Sequence, residues 1–139
     1  TTEISSESLI RIFEKLNVEL KGKVGVKIST GEEGSKGYLK PELIKEFVQK
    51  VNGTIVECNT AYIGHRETTI DHMKVIESRE FTKIANAGIM DSEDEIKLPV
   101  NKGKHLEYDL VENCFTKYDS IINLAHEKCH MMGGFRAWK

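Results

Sequence analysis

The sequence contains no long apolar run: nothing in it approaches the ~18 consecutive apolar residues of a membrane-spanning helix. Basic charge is not in excess either. Lys and Arg number 20 against 22 Asp and Glu, a formal net charge of −2. Nucleic acid and anionic membrane surfaces both call for a basic face, so neither is expected as a partner. The opening stretch Thr1-Thr-Glu-Ile-Ser-Ser-Glu7 is polar and acidic, unlike a signal peptide. Cysteine is scarce: Cys58, Cys114 and Cys129 are odd in number, widely spaced and form no CxxC pair. That usage excludes a disulfide scaffold and suits a reducing cytoplasm. The three thiols are also too few for an iron–sulfur cluster on their own. Internal repeats and low-complexity segments are absent as well.

What remains is the composition of a soluble globular protein. With 139 residues, 39% of them hydrophobic and 30% charged, the chain can bury a real core within one domain, residues 1–139. Ser5 and Ser6 are N-cap types, and Leu9, Ile12, Phe13 and Leu16 behind them share one helical face, which predicts a helix over 6–17. Val24-Gly-Val-Lys-Ile28 reads as a strand, followed by a loop with glycines at 31, 34 and 37. Pro41 suits a helix's first turn, and Leu43, Ile44, Phe47, Val48 and Val51 form the apolar stripe of a second helix stopped by Asn52-Gly53. Thr54-Ile-Val-Glu-Cys58 is a second strand and residues 68–78 a third helix. A third strand is expected over Phe81–Met90, then a solvated acidic loop over Asp91–Glu95. Runs 95–100 and 104–111 around Asn101-Lys-Gly103 predict a hairpin, and Asp119–Ala125 a last strand. This order defines an α/β protein: a mainly parallel sheet flanked by helices, with a β-hairpin near residues 95–111.

Two strand ends carry chemistry. The loop Asn59-Thr-Ala-Tyr-Ile-Gly-His-Arg66 gathers polar side chains where open α/β sheets place ligands; a solvated turn capping the next helix is the alternative. His72, inside that helix, reads as an interior histidine with its partners satisfied. His105 falls in the hairpin and reads as exposed. The last strand runs directly into His126, Cys129 and His130 and then Gly133-Gly134. His126-Glu-Lys-Cys-His130 spells HExxH, which would make a zinc hydrolase if it were helical. The strand-like residues before it argue otherwise, and Arg136 stands where the extended motif needs a third histidine. A c-type haem motif fails because Glu127 replaces its first cysteine. The glycine loop departs from both phosphate-loop spacings, and Glu32 and Glu33 would repel a phosphate. The remaining reading is a strand-end site in which His126 and His130 act as acid/base groups or, with Cys129, hold a metal. Against it stands a pair of histidines hydrogen-bonded at a sheet edge.

Several blocks together resemble a family catalogued as domain of unknown function 362. They are Val24-Gly-Val-Lys27 with its glycine-rich loop, Tyr38-Leu-Lys-Pro41, Asn59-Thr60-x-Tyr62-x-Gly64-x-Arg66, His72, and Asn123-Leu-Ala-His126-x-Lys128-x-His130-x-x-Gly133-Gly134-Phe135. Members of that family often carry a ferredoxin-like iron–sulfur module further along. The last block is also similar to the N-terminal domain of nickel-dependent lactate racemases. By that resemblance His130 corresponds to the acid/base histidine, and a lysine ten positions on anchors the nickel cofactor. Here Lys139 falls nine positions on, and the chain reads Arg136-Ala-Trp-Lys139 where the family pattern continues. The resemblance therefore implies the N-terminal portion of a longer architecture, truncated or divergent.

Function is expected at the carboxyl ends of the strands. Lys27, Asn59, Tyr62 and Arg66 bind a small anionic molecule, and His126 and His130 transfer protons or, with Cys129, bind a metal ion. The rival expectations are a metal-dependent enzyme, racemase-like or hydrolytic, and an interaction protein whose uncovered apolar sheet surface is closed by homodimerisation.

Overall fold

The computed structural model describes residues 3–32 and 34–125, with the backbone alone for 129–130 and 134–135. Helix α1 spans Ser6–Leu16. Ser5 caps it, its hydroxyl accepting from the Ser8 amide at 3.2 Å, and Asn17 ends it in the left-handed region. Strand β1 (Val24–Lys27) leads through the glycine loop to α2 (Pro41–Lys50), with Pro41 in the first turn where its missing N–H costs nothing. Strand β2 (Thr54–Glu57) is followed by α3 (Thr69–Ser78), capped by the Thr68 hydroxyl on the Asp71 amide.

The third strand is shorter than its sequence suggests. Only Ala87–Ile89 forms β3, while Phe81–Lys83 is a 3-10 turn. Glu80 in the left-handed region (φ 65°) opens that turn and drops the Phe81 ring, fully buried, into the core. A run that is apolar because one of its residues plugs the core looks the same in sequence as a buried strand. The acidic stretch is exposed from Ser92 to Glu95, as a solvated loop would be, but its first residue is drawn in. Met90–Ser92 is a 3-10 turn, and the Asp91 carboxylate accepts the Asn59 amide through both oxygens at 2.9 Å. The hairpin forms as expected from β4 (Glu95–Pro99) and β5 (Tyr108–Glu112), a separate two-stranded sheet in register from Glu95↔Glu112 to Pro99↔Tyr108. Strand β6 (Ser120–Asn123) returns to the main sheet, and β7 (Cys129–His130) pairs antiparallel with β8 (Gly134–Phe135).

The main sheet has the order β3-β2-β1-β6, and every pairing in it is parallel. All four carboxyl ends therefore lie at one edge. The chain winds from β1 outward to β3 and then crosses back to β6, so the winding reverses between β1 and β6. Alternation along the strands divides the residues between two faces. Val24, Val26, Ile28, Ile55 and Ile89 face the helices, where Ile44, Phe47, Val48 and Ile76 complete the main core. Leu9, Ile10 and Phe13 of α1 pack onto it, Phe13 meeting Phe47 edge-to-face at 5.2 Å. Burying Phe47 fully stabilises the fold by about 1.5–3 kcal/mol. The opposite face carries a smaller cluster of Val56, Met90 and Cys114, with Cys58 and Tyr118 against it. Among the described residues, no helix is long and apolar enough to cross a membrane.

Candidate functional site: a charged network at the carboxyl edge

Glu57 is the last residue of β2 and shares the helix-covered face with Ile55, two positions earlier. It is only 3% exposed, and a carboxylate is rarely so buried unless partnered. Its two oxygens divide the work. One accepts from Arg66 Nη1 at 2.8 Å; the other accepts from the Thr30 amide at 2.9 Å and meets His72 Nε2 at 3.1 Å. Burial pushes the Glu57 carboxyl up, but the hydrogen bonds from His72 and Thr30 more than reverse this and hold it below its ordinary value. An ionised carboxylate can only accept, so the Nε2 of His72 carries the proton between them. The other ring nitrogen faces Asn59 Oδ1 at 3.2 Å, and the Asn59 amide nitrogen donates to Thr69 Oγ1 at 3.0 Å. His72 is fully buried, its ring held between Glu57 and Asn59.

Arg66 connects this interior to the surface. The loop that carries it is closed by the Thr60 amide on the Arg66 carbonyl at 2.8 Å, which fixes where both Tyr62 and Arg66 stand. With Nη1 committed inward to Glu57, Nη2 turns outward and donates to Glu32 Oε1. The Tyr62 hydroxyl donates to that same oxygen at 2.6 Å and lies 3.2 Å from Nη2. Burial opposes the charge of Arg66, yet hydrogen bonding to Glu32 and the charges of Glu57 and Glu32 raise its pKa above the ordinary value. Desolvation pushes Glu32 up, but Tyr62 and Arg66 hold it below the usual carboxylate range; Glu32 in turn pushes the Tyr62 phenol up. Arg66 Nε is buried and has no hydrogen-bond partner among the described residues. The loop bearing Glu32 is gripped from behind by Arg79, which donates to the Gly31 and Glu32 carbonyls at 3.1 and 2.6 Å and stacks over Tyr38.

Lys27 stands apart from this network. It is in register with Val56, on the face opposite Ile55 and Glu57, and its charge acts on Cys58. Burial and the Asp91 carboxylate push the Cys58 thiol up to about 11, with Lys27 pulling the other way. The sheet thus unites Asn59, Tyr62 and Arg66 on one face and puts Lys27 on the other, beside the β1–β6 boundary, where it is in register with Asn123. The side chains of His126, Cys129 and His130 lie outside the described residues. The backbone at Cys129–His130 is a strand, however, and HExxH needs a continuous helical turn to set its imidazoles side by side. The zinc-hydrolase expectation rests on residues 126–130, three of which lie outside the described residues. Among the described residues no group of His, Cys, Asp and Glu has the arrangement of a metal site.

Sequence reasoning missed Glu57 as the hub and read Glu32 only as a charge that would repel phosphate. A signal for Glu57 existed: in Thr54-Ile-Val-Glu-Cys58 the charge falls on the same alternating face as Ile55, which the core claims. Nothing local marks Glu32, whose partners Tyr62 and Arg66 lie 30 and 34 residues away.

Fold and site together define an open α/β protein with a parallel sheet, whose carboxyl edge holds a buried carboxylate–arginine–histidine network opening onto an exposed tyrosine. The chain belongs to the family described as Domain of unknown function (DUF362), whose model matches residues 24–137. No curated protein and no solved structure matches it.

Proposed function

We propose that this protein binds a small organic anion at the carboxyl edge of its parallel sheet, with Arg66 and Tyr62 as the recognising pair. What carries the reading is the division of labour on Arg66: one Nη is spent on buried Glu57, and the other converges with the Tyr62 hydroxyl on a single carboxylate oxygen of half-exposed Glu32. A guanidinium braced in this way is fixed in direction before a ligand arrives, so little entropy is lost on binding. Asn59 contributes through His72, which helps hold Glu57 in place. The loop after β1 borders the point where the winding reverses, the usual ligand position in open α/β sheets. Lys27 on the far face is not a member of this pair.

Isothermal titration of the wild-type protein with acetate, glycolate, succinate and citrate, at matched ionic strength, tests the reading. Saturable binding of at least one of these anions is expected. Arg66→Lys, which keeps the charge but loses the planar fork, should lose most of the affinity. A wild-type protein silent towards all four overturns the proposal.

A further inference from the structure

Glu32 occupies the position a bound carboxylate would take. Its Oε1 accepts the two outward donors of the recognising pair, Arg66 Nη2 and the Tyr62 hydroxyl, at once. The two sides of the contact are built differently. The Arg66 side chain is 8% exposed and anchored on Glu57, whereas the Glu32 side chain is 45% exposed. Glu32 sits between Gly31 (φ 74°) and Gly34 (φ 73°), both in the left-handed region that glycine enters without strain. A Cβ added at Gly34 would meet nothing within 4 Å, and Gly34 borders an open cleft of about 340 Å³ with His65, Lys74 and Arg79. A buried guanidinium anchored on Glu57 therefore meets a half-exposed carboxylate on a loop with space beside it.

We infer that Arg66 and Tyr62 form a subsite specific for a carboxylate group, and that Glu32 is its built-in occupant, displaced when a ligand carboxylate binds. This rests on the anion-binding reading above and sharpens it to one chemical class. The exchange conserves charge, one carboxylate replacing another on Arg66, so Glu57 and His72 keep their partners throughout. Glu32 then sets a threshold: the apparent affinity for ligand is reduced by the fraction of time the subsite is open. The anion held on this pair is a carboxylate, and inorganic phosphate, whose oxygens also accept from a guanidinium, is the comparison that tests the class.

The test is an NMR titration of ¹⁵N-labelled protein with acetate, and separately with inorganic phosphate, on wild type, Glu32→Gln and Tyr62→Phe/Glu32→Gln. Glu32→Gln removes the competing charge and should bind acetate about tenfold more tightly or better, the factor expected if the subsite is open a tenth of the time or less. The Arg66 Nε–Hε resonance should shift with saturation, and the added Tyr62→Phe should reverse most of the gain. Phosphate should leave that resonance unmoved. Glu32 is half exposed, and amide spectra report directly that each variant is folded. If wild type binds organic anions but Glu32→Gln binds acetate no better, the built-in occupant is refuted while the anion site stands. If wild type is silent and Glu32→Gln binds acetate, the subsite is real and permanently self-occupied, and the ligand-binding function falls instead. Equal binding of phosphate and acetate by Glu32→Gln overturns the carboxylate class.

Discussion

Glu57 holds more of this structure together than any other side chain at the carboxyl edge, because three donors from three separate segments end on it. Removing one member of a buried charge pair leaves its partner uncompensated, at a cost of about 3–5 kcal/mol. Glu57→Ala should therefore unfold at a markedly lower urea concentration; a loss below about 1 kcal/mol, the scale of an exposed pair, would show that water enters the network freely. Even Glu57→Gln is not conservative, since whichever way its amide turns, an NH₂ faces either the Thr30 N–H or Arg66. On the other face, Cys58 gives a second prediction. A thiol pushed up to about 11 from 9.0 carries roughly a hundredfold less thiolate at pH 8, and the thiolate is the nucleophile. Iodoacetamide labelling followed by peptide mass spectrometry should find Cys58 modified about a hundredfold more slowly in the native protein than in urea. Equal rates would mean that burial does not protect it. Asn59, Tyr62 and Arg66 were legible in the sequence because polar residues crowded at a strand end have few structural reasons to be there. Glu57 was legible only as an inward-facing position, by its alternation with Ile55; its role as hub was not, because its partners are tertiary.

At the scale of elements, the helices and central strands follow directly from periodicity and caps, and the faults fall where a tertiary contact overrides pattern. Phe81 is one such residue: its ring belongs to the core, edge-on to Tyr38 at 6.2 Å, and its backbone turns to deliver it there. The register between β1 and β6 is set by such a contact too. Gly25 is opposite Ile121, and a Cβ at Gly25 would stand 2.7 Å from Ile121 Cδ1 and 3.2 Å from the Tyr118 ring. The glycine is there because the cover of this face comes within contact distance of the backbone, which nothing in Val24-Gly-Val-Lys27 reveals. Gly25→Ala should consequently destabilise by no more than about 1 kcal/mol, the low end of overpacking, because the nearest atom is the free end of the Ile121 side chain and the Tyr118 ring need give only a little. Urea unfolding reads the loss, and near-ultraviolet circular dichroism reads the displaced tyrosine. An unchanged or higher stability would mean that this cover shifts without cost. Helix α3 offers a further test: Thr68→Ala removes the hydroxyl that accepts the Asp71 amide, a change worth about 1 kcal/mol.

For the whole molecule, the network ties the loop after β1, the loop after β2 and helix α3 to one buried carboxylate, so its protonation is felt by all of them. Glu57 and Glu32 both have folded-state pKa values below the ordinary 4.5. In the window between the folded and unfolded values the unfolded chain binds more protons, so stability rises with pH there. The contribution is complete above about pH 5 and is lost as the pH falls from 4.5 through the folded values. Glu32 is half exposed, so its share is screened by salt, whereas that of Glu57, 3% exposed, is not. Urea midpoints measured from pH 7 to pH 3 should be level at first and then fall steeply. Adding 0.5 M sodium chloride should trim the fall slightly, Glu32→Gln should remove a small part of it, and Glu57→Gln should flatten most of what remains. Surface carboxylates are held down more loosely, Asp71 by Lys74 and the Thr68 hydroxyl and Glu93 chiefly by Lys117, and the part that the exposed lysines contribute should shrink with salt. If Glu57→Gln kept the full acid limb of the wild type in high salt, the stability of the sheet edge would not depend on the buried carboxylate, and Arg66 would need another anchor to serve as a preset receptor.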